Sequence, residues 1–346
     1  MMQIGFFSEE QRLNKLSKLG DSLEKLNAVI DWELFRPILS KGMEATKAER
    51  KGPGGRPPYD CVLMFKILVL ARLFNLSDDQ AEYQINDRMS FMRFLGLGLG
   101  DKVPDAKTIW LFRDTLTKAG VMEDLFAEFN RMLEKKGIIT HTGTIVDATF
   151  VDAPRQRNSR KDNQTIKAGE TPEEWLEDTP EARHKRAQKD VDARWTIKNK
   201  ELHYGYKNHA KVDAESKIIT AYEVTAASVH DSQVFLDFIT DEDSHVYADS
   251  AYAHLATQLP EGVTSHICEK GFRGHPLTEA QKEANRVKSK VRCRIEHVFG
   301  FMTGSMHGIT VRSIGKKRAD FNIGLTNLVY NLCRYTILDR SQLTVG

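Results

Sequence analysis

Three acidic residues combine side-chain type and setting in a way that supports chemistry: Asp147 in TIVDATFVDAP, Asp249 in SHVYADSAYA and Glu296 in KVRCRIEHVFG. The first two lie in or at the end of short apolar runs that read as buried strands, and the third in an apolar stretch that reads as a helix. A carboxylate inside a buried strand costs free energy unless something compensates its charge. Three carboxylates on separate elements can converge on one cation. Magnesium suits such a set, because it prefers oxygen ligands and keeps several of its waters. The chemistry is then cleavage and joining of phosphodiesters, with two divalent ions roughly 4 Å apart activating the attacking oxygen and stabilising the leaving one.

Each acid also has a second reading. Asp249 can cap the helix that follows it, and Glu296 can pair with Arg292 or Arg294. Asp152 and Asp213 compete with Asp147 as the strand carboxylate, the former as a strand end before Pro154 and the latter as a hairpin turn. Residue types and spacing leave five candidate acids.

The elements that would position them follow from periodicity. Residues 8–39 read as helix, with Leu13, Leu16, Leu19, Leu23 and Leu26 on one face and Gly20 weakening the middle. KAERKGPGGRPP reads as a linker in which Arg56 is a candidate phosphate contact. Residues 60–135 read as wholly helical: Asp60, Ser77 and Asp105 are helix starts and Gly120 is a stop. From Gly143 the pattern becomes strand-like, and the stretch 155–200 carries twelve Lys/Arg and nine Asp/Glu, the signature of a flexible or helical insertion. LHYGYKNHAKVD and KIITAYEVTAA form a hairpin. A helix over 230–239, a strand over 245–249, a short helix, a strand over 262–268, the Glu296 helix and a final amphipathic helix over 318–338 complete the chain.

The expected organisation is an N-terminal helical segment 1–46, a linker 47–58, a helical DNA-binding domain 59–137, an α/β catalytic domain 138–310 and a C-terminal helix and tail 311–346. Strand, hairpin, helix, strand, helix, strand, helix is a mixed sheet flanked by helices, consistent with a ribonuclease-H-like fold.

Composition constrains the setting. The formal net charge of +2 does not by itself mark a nucleic-acid binder, but the stretch from Lys270 to Arg294 has eight basic residues and two acids. Four scattered cysteines read as reduced thiols. The longest apolar stretch, 62–74, contains Lys66 and Arg72 and is too short to span a bilayer, so a cytoplasmic protein with no membrane partner is expected. Lys207 and His209 share a strand face and are candidate DNA contacts. His230 is a candidate active-site auxiliary, Asp231 a helix cap, and Trp195 an anchor for the insertion.

Several long motifs occur in order: GRPPYDCVLMFKILVLARLFNLSDDQAEYQINDRMSFMRFLGL, VPDAKTIWLFRDTL, TIVDATFVDAP, DARWTIKNKELHYGYKNHAKVD, TAASVHDSQ, YADSAYA and RCRIEHVFG. Over roughly residues 50–335 they resemble the DDE transposases of bacterial insertion sequences, the IS-four/IS-five superfamily and most closely its IS-five family. The resemblance implies a ribonuclease-H-like catalytic core behind an all-helical N-terminal domain, and assigns catalytic, metal-binding roles to Asp147, Asp249 and Glu296. It implies two Mg²⁺ ions (Mn²⁺ as a substitute), the element's terminal inverted repeats and target DNA as partners, a homodimer in a synaptic complex, and a nucleoid-associated protein. In the superfamily the Glu helix carries a Tyr, an Arg and a Lys around its Glu. Here Arg292 matches, while Ser289 and Thr303 stand at the Tyr and Lys positions, so Lys288, Lys290 or Arg294 would take over phosphate contacts. The alternatives are a non-mobile nuclease of the same fold, a DNA-binding regulator using only the N-terminal helices, and an inactive relic.

Overall fold

The computed structural model describes residues 8–47, 57–198 and 200–343, so Arg56 lies outside the described residues. The chain divides into two compact units: the described residues up to Phe129 together with those from Leu328 onward, and Asn130–Asn327.

The first unit is helical. The leucine-rich N-terminal stretch is not one helix but α1 (Ser8–Leu19), α2 (Ser22–Val29), a 3₁₀ turn (Trp32–Phe35) and α3 (Arg36–Lys47). Gly20, at φ 89°, makes the first break, and Asp21 then caps α2. Next come α4 (Cys61–Leu73), α5 (Asp78–Asp87), α6 (Met89–Leu95), α7 (Ala106–Ala119) and α8 (Met122–Lys135). Asp60, Ser77 and Asp105 each accept backbone N–H groups at the helix starts expected of them, and Gly120 closes α7 in the left-handed conformation. Phe35, Phe65 and Phe129 are fully buried together. Lys66 survives inside apolar α4 because its ammonium donates to Asn27 (2.8 Å) and lies over the rings of Trp32 and Phe94. Burial lowers its pKa to about 8. Among the described residues, no helix is long and apolar enough to cross a membrane.

The second unit is a mixed α/β layer. Its strands are β1 (Thr144–Asp152), β2 (Arg194–Lys198), β3 (Glu201–Asp213), β4 (Ile219–Ala226), β5 (His245–Tyr247) and β6 (Thr264–Ser265). Among the described residues these form one sheet in the order β2-β3-β1-β5-β6, with β4 pairing the later part of β3. β1 runs antiparallel to β3 and parallel to β5, so the Asp147 strand is central. Gly205, paired with Asp152 at the end of the β1–β3 ladder, has φ 147°, and a Cβ there would lie 2.2 Å from the Val151 carbonyl oxygen. Only glycine fits.

The charged stretch is more ordered than its composition implies. It contains α9 (Arg160–Lys167), α10 (Pro180–Ala187) and β2, whose RWTIK alternation is that of an edge strand. Trp175, not Trp195, is its buried anchor, at 0% exposure. Trp195 sits on β2 against Tyr204 and is 38% exposed. Asp190 holds the base of the stretch in place. Its carboxylate is 4% exposed and accepts the Tyr206 hydroxyl and the N–H groups of Asp192, Ala193 and Gly315. The remaining helices are α11 (Ser232–Phe235), α12 (Glu279–Arg292), α13 (Arg294–Thr303) and α14 (Lys316–Leu343). Residues 323–332 of α14 are buried on every side, so that helix is not amphipathic there.

Candidate active site

Asp147 lies opposite Ala210 of β3, whose small side chain leaves space beside the carboxylate. Its Oδ1 accepts the N–H of Ala148 at 2.8 Å. Burial raises its pKa above the ordinary aspartate value, opposed by that hydrogen bond and by the charges of Lys198 and Arg292. The parallel register of β1 and β5 pairs Thr144 with Val246 and Ile145 with Tyr247. Carried two residues further, it sets Asp249 level with Asp147, one strand away.

Asp249 lies just past the end of β5, is exposed, and caps the 3₁₀ run Ser250–Gln258 by accepting the Ser250 N–H at 2.6 Å. Capping and catalysis are not exclusive readings, because the cap engages one of its two oxygens. Beneath both acids lies Tyr252, 2% exposed and stacked on Phe235. Burial, and then the charges of Asp231, Asp147 and Asp249, raise the pKa of its phenol.

Glu296 is carried by α13, which packs against β1 through a buried face of Ile295, Val298 and Met302. A break at Cys293 separates α13 from the basic helix α12. Arg292, the last residue of α12, reaches two of the three acids: its Nη1 lies 3.9 Å from Asp147 and its Nη2 donates to Glu296 at 3.2 Å. One guanidinium thus occupies the place between carboxylates from separate elements. Among the described residues, no group of three His, Cys, Asp or Glu side chains is already drawn together as a metal cage.

The other acids separate cleanly. Asp213 is a turn residue, accepting from Thr140 and from both the N–H and the hydroxyl of Ser216. Asp152 is exposed at the strand end, where its backbone oxygen receives the Val311 N–H. Asp231 does not cap α11 through its side chain. It pairs with Lys207 at 2.7 Å and lies 3.9 Å from Lys198, making it a fourth carboxylate near Asp147 rather than the helix cap expected of it. The nearest signal was its place beside His230. His230 is exposed and takes the capping role, its Nδ1 accepting from the Ser232 N–H at 3.3 Å.

Lys207 and His209 share a face, as alternation requires, but that face is buried and cannot meet DNA. Lys207 is 7% exposed and donates to the Val229 carbonyl as well as to Asp231. His209 is 1% exposed and bonds Thr225. Lys211, next in the row, is buried against Asp243. Burial lowers the His209 pKa from the ordinary 6.5 to about 4. The unfolded chain therefore binds a proton that the folded one refuses, and stability is lost as the pH falls from about 6.5 toward 4, by ~3 kcal/mol in full. Denaturant titrations across that range should show the slope, and His209→Gln should flatten it.

Of the remaining basic candidates, Lys288 is held by the Ile267 carbonyl and Arg294 by the Ala214 carbonyl, while Lys290 is exposed on α12. Ser289 contacts Cys268, and the Thr303 hydroxyl bonds within its own helix.

Residues 139–332 match the family described as "Transposase DDE domain", and residues 11–115 the family described as "Transposase domain (DUF772)". Among solved structures, the chain is similar to the piggyBac transposase in its synaptic complex with hairpin DNA, determined by cryo-electron microscopy. The TM-score is 0.48 and the identity 10%, with 90% of this chain and 75% of that chain covered.

Proposed function

Because this chain belongs to the transposase DDE domain family, we propose that it is the transposase of a bacterial insertion sequence of the IS-four/IS-five type, acting through Asp147, Asp249 and Glu296 on a ribonuclease-H-like core. The observation that carries the reading is Arg292, whose guanidinium lies between Asp147 and Glu296 at 3.9 and 3.2 Å. Carboxylates from a central strand and a separate helix already attract one cation.

The donors suit Mg²⁺ or Mn²⁺. All three are carboxylates, the preferred oxygen ligands of these ions, and the half-buried Asp147 side chain, 25% exposed, stays open to a cation. When bound, the metal supplies an activated water and stabilises charge on the scissile phosphate. The chain's own residues do the rest. Asp147, fixed by the Ala148 N–H and the β1 pairing, sets the reference point of the site. Asp249 is fixed by its cap on the next strand. Glu296 arrives on a helix whose buried face holds it against β1. Arg292 provides a planar fork for a phosphate oxygen once the acids take another cation. Lys290 and the other exposed cations of α12 neutralise backbone charge, which makes binding weaken steeply with salt.

The substrate is the element's terminal inverted repeats, cut to release 3′-hydroxyl ends that are then joined to target DNA by a dimer. The test is purified protein with a duplex carrying the DNA that flanks its gene, plus Mg²⁺. The expected products are nicks at the repeat boundary and covalent joints to a target plasmid bounded by a short duplication. Cutting without joining would favour the non-mobile nuclease, and binding without cutting would favour the regulator.

A further inference from the structure

The edge strand β2 ends in a cation to which the catalytic reading gives no task. Lys198 is the last residue of β2, and its side chain is 50% exposed. Alternation along RWTIK turns it to the face opposite Trp195 and Ile197. There its ammonium lies 3.9 Å from Asp231 Oδ2 and 5.6 Å over the Phe150 ring. Neither contact is a hydrogen bond, and among the described residues the ammonium makes none. The three donors of a full positive charge remain available.

The fold carries this cation to the acids. Phe150 of β1 pairs with Lys207, yet its ring stacks at 4.0 Å on His203, four positions earlier on β3. In a straight strand four positions span ~13 Å, so the β2–β3 ribbon curls back toward β1. Gly205, at φ 147°, lies between the two positions. Asp231 is fixed by the Lys207 ammonium, which donates to its Oδ1 at 2.7 Å and leaves Oδ2 to Lys198. Burial raises the Asp147 pKa, and after the Ala148 hydrogen bond the strongest opposing influence is the charge of Lys198, ahead of that of Arg292. The other two cations at the site are already bonded: Arg292 donates to Glu296, and Lys207 to Asp231 and the Val229 carbonyl. Lys198 is the loosely held one.

A lysine beside acids that are to hold divalent ions is repelled by those ions and needs a different anion. The anion that transposition brings to this place is the DNA backbone. We propose that Lys198 is a further active-site residue, whose ammonium binds a phosphate next to the scissile one and so seats the DNA strand over the carboxylates. This inference rests on the transposase reading of the same site.

The experiment uses the full chain and terminal-repeat duplexes that each carry one neutral methylphosphonate linkage near the cleavage point. Binding is read with Ca²⁺, which takes the same oxygen ligands, and single-turnover cutting with Mg²⁺. Wild-type protein should lose about ten-fold in affinity at one linkage next to the scissile one, the loss of one charge-assisted hydrogen bond. Lys198→Met should bind the unmodified duplex about ten-fold more weakly, cut it correspondingly more slowly, and be indifferent to the neutral linkage at that one position. Lys198→Arg should recover most of the affinity and the sensitivity. Both variants should melt at the wild-type temperature, because a half-exposed ion pair of this length contributes little to stability. A Lys198→Met protein that binds and cuts as wild type overturns the inference and leaves the transposase reading intact. So does a variant that melts lower and remains as sensitive as wild type to every neutral linkage, because Lys198 would then only balance the charge of Asp231 and Asp147. If wild-type protein neither binds nor cuts the terminal duplex, the transposase reading and this inference fall together.

Discussion

An Asp147→Asn protein is expected to bind terminal DNA at least as tightly as wild type and to cut it at least ~10³-fold more slowly, the loss of several kcal/mol of metal-derived stabilisation of the reacting phosphate. It is also expected to melt no lower than wild type. Burial raises the Asp147 pKa above its unfolded value, so the ionised carboxylate opposes folding at every pH above the ordinary aspartate range, and a neutral amide of the same shape relieves that cost. The amide oxygen can still accept the Ala148 N–H. Loss of activity together with unchanged or raised stability is what separates a functional carboxylate from a structural one. Asp249→Asn, at an exposed position, should show the same loss of cutting with intact binding. Cleavage at the wild-type rate by either variant would remove the metal-site assignment. An Asp147→Asn protein that melts markedly lower would mean that Arg292 pairs with Asp147 for structural reasons.

The largest stability effect is expected at Asp190. Replacing it with alanine strands the Tyr206 hydroxyl and the N–H groups of Ala193 and Gly315, all of which now donate to its carboxylate. Each donor left without an acceptor costs about 1–3 kcal/mol, so at least ~3 kcal/mol is expected for the three, a large share of the ~5–15 kcal/mol by which domains are usually stable. Thermal melting should show a fall of about 10 °C. Asp190→Asn keeps an acceptor oxygen and should recover about half of the loss. An alanine variant that melts within a degree or two of wild type would show that water replaces the carboxylate in all of these bonds.

Much of this was legible in the chain, for identifiable reasons. Helix starts at Asp60, Ser77 and Asp105 were readable because a cap is a local hydrogen bond, made within three residues of the side chain that supplies it. The strand at Asp147 and the hairpin around Asp213 were readable because period-two patterning and turn residues are local too. Long-range facts were not. Alternation put Lys207 and His209 on one face, but which face is buried depends on where residues 229–243 fold back, and Lys207, Lys211 and their partners Asp231 and Asp243 join across that span. β2 was hidden inside a stretch whose net composition looked unstructured, although its five residues alternate cleanly. Trp175 and Trp195 are equally conspicuous in the sequence, and only the core that forms around Trp175 separates anchor from exposed ring. The bridge from Arg292 to Asp147 joins α12 to β1, and no spacing along the chain encodes it.

The place of β1 in the sheet has a consequence for the order of assembly. Its antiparallel partner β3 pairs Thr144 with Asp213 and Asp152 with Gly205, so the strand waits for the whole intervening charged stretch before it has a neighbour. Its parallel partner β5 comes later still, and Glu296 last. Closing such long loops is slow, because chain entropy is lost before any contact returns it. The helical unit's N-terminal segments can form from local contacts while the sheet is still incomplete. The chain is therefore expected to pass through a state in which those helices are folded and the acids are still apart, and the acidic site is the last thing the molecule completes.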